Sequence, residues 1–203
     1  AAEDYKYNEI EENPLRMPDN GTAEKAAAYI SSLMEKNDSC GGIIECIADG
    51  LPAGLGEPVF DKIDALLGQA LFSVGAVKGV EIGDGFEAAG STGSRNNDPF
   101  HAADGRIEKL SNHSGGTLGG LSDGSRLIIR AAIKPTPSIA QLQKTVNENG
   151  ENTEIAIHGR HDPVIVPRAV VVIESMTAVT LADLLLQNMA STMDHVKKVY
   201  QDL

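Results

Sequence analysis

Tryptophan is absent from this sequence, and aromatic residues of all kinds make up only 4% of it. Aliphatic side chains must therefore fill whatever core the chain builds. Cysteine is nearly as scarce, with Cys40 and Cys46 the only two. Their spacing is no zinc pattern and two cysteines make no disulfide framework. Reduced, partly buried thiols and no bound metal are expected, in keeping with a cytoplasmic protein. Basic residues are in deficit, 17 Lys and Arg against 29 Asp and Glu, for a net charge of −12. That excludes an extended nucleic-acid surface, which needs clustered cations, but leaves room for one local basic pocket around a small anion. No signal peptide opens the chain and no uninterrupted apolar run is long enough to span a bilayer, so no membrane is expected. The first residue is Ala1 rather than Met, which suggests a processed product or an excised fragment.

What is present is an ordinary globular balance, 41% hydrophobic and 23% charged over 203 residues. That length buries one sizeable core or two small ones, and a single domain over 1–203 is expected. Residues 1–21 read as an extended acidic lead-in ending in a Pro18-Asp19-Asn20-Gly21 turn. Thr22 then looks like the cap of a helix over 23–36, with Lys25 where a capping box would want Glu. Strands are expected at 41–48, 77–82 and 126–134, and helices at about 59–74 and 169–199. A hairpin pairs 142–146 with 153–157 across Asn147-Glu148-Asn149-Gly150-Glu151. Residues 84–110, rich in Gly, Asn and Asp, show no sustained period and read as a long irregular loop. The last helix is apolar on more than one face in its first half, so two layers, or a sheet and a partner chain, should cover it.

Three stretches carry the candidate chemistry. Gly159-Arg160-His161-Asp162-Pro163-Val164-Ile165-Val166-Pro167-Arg168 crowds charge between a strand end and a helix start, with Pro167 in the first turn. Helix N-termini attract anions. Arg160 and Arg168 can fork onto phosphate or carboxylate, and Asp162 can accept or give a proton. The plain alternative is an Arg–Asp ion pair that fixes a loop. The run 112–121, Asn-His-Ser-Gly-Gly-Thr-Leu-Gly-Gly-Leu, lets backbone approach a flat or anionic ligand closely. A flexible linker would look similar, but Asn112 and His113 before it and a strong strand after it favour a ligand loop. Lys134-Pro135-Thr136-Pro137-Ser138 ends that strand in a stiff bend offering donors, either to a phosphate or as a plain proline turn.

Taken together, these segments resemble the chorismate synthase family. The resemblance rests on Gly54-Leu55-Gly56-Glu57-Pro58-Val59-Phe60-Asp61, on Ala76-Val77-Lys78-Gly79-Val80-Glu81-Ile82-Gly83-Asp84-Gly85-Phe86, on Asn112-His113-Ser114-Gly115-Gly116 with Gly119-Gly120, on Lys134-Pro135-Thr136, and on Gly159-Arg160-His161-Asp162-Pro163 with Pro167-Arg168-Ala169. It covers essentially this whole chain and about the C-terminal half of the family's. The other half is expected before Ala1. The family resemblance implies an α+β class, half of a β-α-β sandwich with an antiparallel sheet packed on long helices, and a tetrameric homo-oligomer. It implies conversion of 5-enolpyruvylshikimate 3-phosphate to chorismate and phosphate by trans-1,4-elimination, with reduced FMN (FMNH2) as cofactor, in aromatic amino-acid biosynthesis. Carried over by motif, Gly75, Ala76, Gly119, Lys134, Pro135, Thr136, Pro137, Ser138 and Arg160 resemble flavin contacts. Asp162 resembles the family's proton-relaying carboxylate, with Arg160 beside it or serving the substrate. Val164 stands where the family commonly has Cys. The family's two catalytic histidines and an Arg-Ser-Ser flavin segment belong to the other half. His101, His158 and His195 offer no substitute, although His113 could line the pocket. The chain by itself is therefore expected to be inactive. Two alternatives remain: a non-catalytic flavin- or phosphate-binding module, and an inert scaffold fragment. No strand-linked G-x-G-x-x-G supports a nicotinamide-dependent activity.

Overall fold

The computed structural model describes residues 5–103, 105–159 and 161–201. In chain order a 3-10 turn (Tyr7–Glu11) precedes α1 (Asn20–Glu35), β1 (Gly42–Ala48), α2 (Ile63–Phe72) and β2 (Val77–Ile82). A second 3-10 turn (Gly85–Gly90) and the one-turn α3 (Gly93–Asn96) follow. Then come β3 (Phe100–Ala103), β4 (Arg106–Lys109), β5 (Thr117–Leu118), β6 (Leu121–Ser122), β7 (Leu127–Ile133), β8 (Gln143–Val146), β9 (Asn152–Ile155), α4 (Val166–Asn188) and α5 (Met193–Tyr200). The class is α+β. Where the sequence suggests one domain, the chain packs as two compact units, one of residues 1–43 and 132–170, the other of 44–131 and 171–203.

The second unit holds most of the core. A three-stranded sheet has the order β1-β7-β2. Along β7 burial alternates strictly, with Leu127, Ile129, Ala131 and Ile133 buried, as a strand with one face on a core requires. Ile63, Leu67 and Leu71 put one stripe of α2 inside, and α2 packs on β2. On α4 the buried stripe is Ile173, Thr177, Leu181 and Leu184, again at helical spacing. Every fully buried large side chain in this set is aliphatic apart from Thr177, which follows from the lack of aromatics.

Several expectations change. The lead-in is not extended throughout, since residues 7–11 form a 3-10 turn. Asp19, not Thr22, caps α1: its carboxylate accepts the N–H groups of Gly21 and Thr22, and the Thr22 hydroxyl donates to it as well. The 142–157 hairpin forms its own two-stranded sheet instead of joining the main one. The stretch 84–111 is not an irregular loop. It contains a 3-10 turn, α3 and the antiparallel β3–β4 hairpin. Gly105, before β4, has φ +76°, the left-handed backbone that hairpin turns favour.

The long C-terminal helix stops at Asn188. A new helix, α5, starts where the Thr192 side chain accepts from the N–H of His195. By length and composition α4 passes the test for a membrane-crossing helix, with a mean hydropathy of 1.9 over its most apolar window. Its buried stripe is what a core helix shows equally well. Val171, Val172, Val179, Leu185 and Leu186 on α4 remain exposed. Replacing Ile129 by Ala should cost about 2–5 kcal/mol, because the centre of β7 has no room to collapse around the cavity. A urea midpoint equal to that of the parent would contradict this placement of the core.

Candidate functional site

In the second unit the glycine run is anchored to the end of β2. Gly83 donates its N–H to Ile128 O (3.0 Å), and Asp84 donates its N–H to the His113 carbonyl (2.8 Å). A Cβ on Gly83 would run into the His113 carbonyl and the Gly115 nitrogen, so only glycine lets these two backbones meet. Asn112 staples the run from both sides. Its Nδ2 donates to Arg126 O at 2.8 Å, and its Oδ1 accepts from the Gly116 N–H at 2.9 Å. Gly119 and Gly120, at φ +63° and +88°, form the two-residue turn between β5 and β6, where both positions need a left-handed backbone. Nothing lies within 4 Å of a Cβ built on Gly119, so its exposed backbone faces open space. Gly75 and Ala76 close the turn between α2 and β2, Ala76 at φ +72°. Among the described residues no hydrogen bond outside regular elements joins them to the glycine run.

Below the run lies a buried ionic cluster that the sequence reading missed. Lys109 Nζ donates to Asp123 Oδ2 (2.6 Å), Ser114 Oγ (2.7 Å) and Asp98 Oδ2 (3.3 Å). The three charged side chains are at most 8% exposed. Asp98 also accepts from the Ser111 hydroxyl and from the His113 and Ser114 N–H groups. Burial alone would raise the Asp98 carboxyl, but these donors outweigh it and hold the group far below the usual carboxylate range. Burial opposes and Lys109 with Ser125 lowers Asp123 in the same way. No local signal points to this cluster, because its carboxylates lie 11 and 14 residues from Lys109 in the sequence.

In the first unit the proline bend and the Asp162 corner are held by a third segment that the sequence did not single out. Ser39 Oγ donates to Thr136 O (2.6 Å), and Cys40 N donates to Pro163 O (2.9 Å), making a parallel bridge between Cys40 and Val164. A Cβ on Gly41 would strike the Ile133 carbonyl, and one on Gly42 would come within 3.0 Å of Val166 Cγ2. Residues 39–42 thus lie between the bend and the corner and draw them together. Two buried polar atoms in this unit, Thr136 Oγ1 and His161 Nε2, have no hydrogen-bond partner among the described residues. Such atoms are costly to leave unpaired, and a bound polar ligand relieves them. Lys134, Pro135 and Pro137 are exposed, and Ser138 is half-buried. Asp162 accepts from Arg168 Nη1 at 2.5 Å, the ion pair that the plainer reading of this stretch anticipates. Arg160 lies outside the described residues. A group of His, Cys, Asp and Glu suited to a metal ion is absent among the described residues.

Residues 3–186 match the family model described as chorismate synthase. The chain belongs to the chorismate synthase family. It is 62% identical over 190 residues to the chorismate synthase of Lachnoclostridium phytofermentans, covering 93% of this chain and 52% of that protein. It is 53% identical over 181 residues to the one of Archaeoglobus fulgidus, covering 89% and 50%. A solved structure described as a crystal structure of chorismate synthase superposes with a TM-score of 0.76 at 36% identity, covering 97% of this chain and 53% of that one. The chain spans about half the length of the curated relatives it matches.

Two outcomes follow for this member of the chorismate synthase family. Lys109→Met should destabilise the second unit by about 3–5 kcal/mol, because it strands two buried carboxylates. A guanidinium titration that detects no loss would refute the cluster's role. The depressed Asp98 and Asp123 pKa values contribute stability that is complete above the unfolded carboxylate value of about 4 and drains away as pH falls below it. Acid unfolding monitored by circular dichroism should therefore begin below about pH 4, and Asp98→Asn should flatten that pH dependence.

Proposed function

We propose that this chain is the flavin-holding half of a chorismate synthase, which eliminates phosphate from 5-enolpyruvylshikimate 3-phosphate to give chorismate. The observation that carries the reading is the pair of orphaned buried polar atoms, Thr136 Oγ1 and His161 Nε2, inside the two motifs that the resemblance assigns to the cofactor. The open backbone above Gly119 supports the same reading, since it leaves room for a flat ring. These residues fit reduced FMN. In the first unit Lys134, Thr136 and Ser138 carry donors suited to a phosphate, and in the second the open backbone at Gly119 and the Gly75-Ala76 turn suits a flat ring. Reduced FMN, when bound, supplies transient electron density to the substrate without net oxidation.

The chain's own residues have distinct parts in this scheme. Pro135 and Pro137 pre-shape the bend, so its donors are presented at little entropic cost. Asp162, paired to Arg168, holds or passes a proton at its carboxylate. Catalysis requires the family's other half, which supplies the two histidines. The working enzyme is a cytoplasmic homotetramer, and the exposed aliphatic face of α4 is surface that further protein would cover.

One observation favours a narrower alternative. Asp162 is already paired to Arg168, so its role could be to fix the loop in a module that binds flavin without catalysis. Titration of the pure chain with FMN, followed by flavin fluorescence, tests the reading. Micromolar binding that Thr136→Val weakens is expected. Absence of any binding would leave only a scaffold. Asp162→Asn separates the two roles: in the assembled enzyme a proton relay loses turnover at unchanged FMN affinity, whereas a loop pin loses affinity first. Chorismate formation by this chain alone, with reduced FMN and no other half, would contradict the division of labour.

A further inference from the structure

Among the described residues of the second unit, His113 is the histidine whose ring is fixed by a close carboxylate. Its Nδ1 lies 2.7 Å from Asp84 Oδ2, and both side chains are about one-third exposed. The backbone around the pair is locked from two directions. Asp84 N–H donates to the His113 carbonyl, and His113 N–H donates to Asp98 Oδ1 at 2.8 Å. Asp98 is in turn held by Lys109, so the ring's position is set by the buried cluster beneath it. With Nδ1 committed to Asp84, the neutral ring carries its proton there and leaves a lone pair on Nε2. Among the described residues Nε2 makes no hydrogen bond. His113 sits at the start of the glycine run, with its side chain about one-third exposed to solvent.

The geometry points to a ligand contact and proton-exchange group at His113 Nε2, with Asp84 as its positioning residue. The ligand class is the one proposed above for the glycine run, a flat ring system bearing carbonyl oxygens, ring N–H groups and a phosphate, so this inference rests on that reading. In the neutral state Nε2 accepts from a ligand N–H or O–H. Once protonated, it donates to an oxyanion while Asp84 balances the added charge. Proton exchange breaks one ligand N–H or O–H bond and forms one N–H bond at Nε2, without any redox partner. Asn96 Nδ2, 3.4 Å from Asp84 Oδ2, is a second weak donor that keeps the carboxylate turned toward the ring.

Two measurements on the whole chain test this. Imidazole 15N spectra on the alkaline side, where imidazoles are neutral, should show His113 protonated at Nδ1 and bare at Nε2. Asp84→Asn should move the proton to Nε2. A proton on Nε2 in the parent overturns the proposal. In FMN titrations, His113→Asn keeps a group near Nδ1 for Asp84 but removes Nε2, and should weaken binding by about tenfold, the worth of one good hydrogen bond. His113→Gln places a side-chain amide near Nε2, whose oxygen accepts as the ring nitrogen does and whose NH2 can donate, and should bind within about threefold of the parent. Equal affinity for parent and both variants sinks the His113 contact while leaving the flavin reading intact. A parent chain that does not bind FMN sinks the flavin reading, and this contact with it.

Discussion

The ammonium of Lys109 sits among Asp98, Asp123 and Ser114 with almost no water around it. Three donors meet three acceptors, so the buried charge is satisfied, and that condition makes a buried ion tolerable. The consequence extends well beyond one side chain. Asp98, turned by Lys109, collects the N–H groups of His113 and Ser114 and so dictates where the glycine run begins. Gly83 and Gly115 then bring β2 and the run into backbone contact that a single methyl group would prevent. A glycine-rich segment has many conformations available, and its ordering costs more entropy than that of other residues. The ionic cluster is what offsets that cost and turns a loose run into a shaped surface.

The first unit solves a similar problem without buried charge among the described residues. The proline bend and the Asp162 corner are far apart in sequence and have no tight reason to meet. Ser39 and Cys40 provide it, through one hydrogen bond to each, and Gly41 and Gly42 make the approach possible by having no side chain. What this arrangement leaves behind is informative. Among the described residues Thr136 Oγ1 and His161 Nε2 are buried without a hydrogen-bond partner. Both belong to motifs on which the family resemblance rests, and an unpaired buried polar atom is costly.

Regular elements were legible to within a few residues. The alternation in Leu127-Ile128-Ile129-Arg130-Ala131-Ala132-Ile133 marks a strand, and the four-residue spacing of Ile63, Leu67 and Leu71 marks a helix face. The failures are equally specific. Thr22 was a credible cap, but Asp19 lies one residue before the helix and a carboxylate accepts two N–H groups at once. The β3–β4 hairpin has short strands and a mixed pattern, so its one local signal, Asp104-Gly105, was outweighed by the glycines and asparagines around it. The break after Asn188 depends on the Thr192 cap, a single side-chain hydrogen bond in a stretch whose composition suits a continuous helix.

For the candidate site the motifs single out stretches of backbone but not the contacts within them. Asp162 stood out by its charged neighbours, and the structure adds that Arg168 already occupies it. Asp84 and His113 lie 29 residues apart, in separate motifs, and no local pattern links them. By itself the sequence determined the α+β class, the aliphatic core, the family and the glycine and proline positions, because periodicity, turn chemistry and motif spacing are properties of neighbouring residues. Only the tertiary structure decided that Lys109 lies between two carboxylates, that residues 39–42 join the bend to the corner, and that Asp84 orients His113. Those pairings arise when distant segments close on one another under the demand that buried charges and hydrogen-bonding groups be satisfied, and no local pattern records which partner each will find.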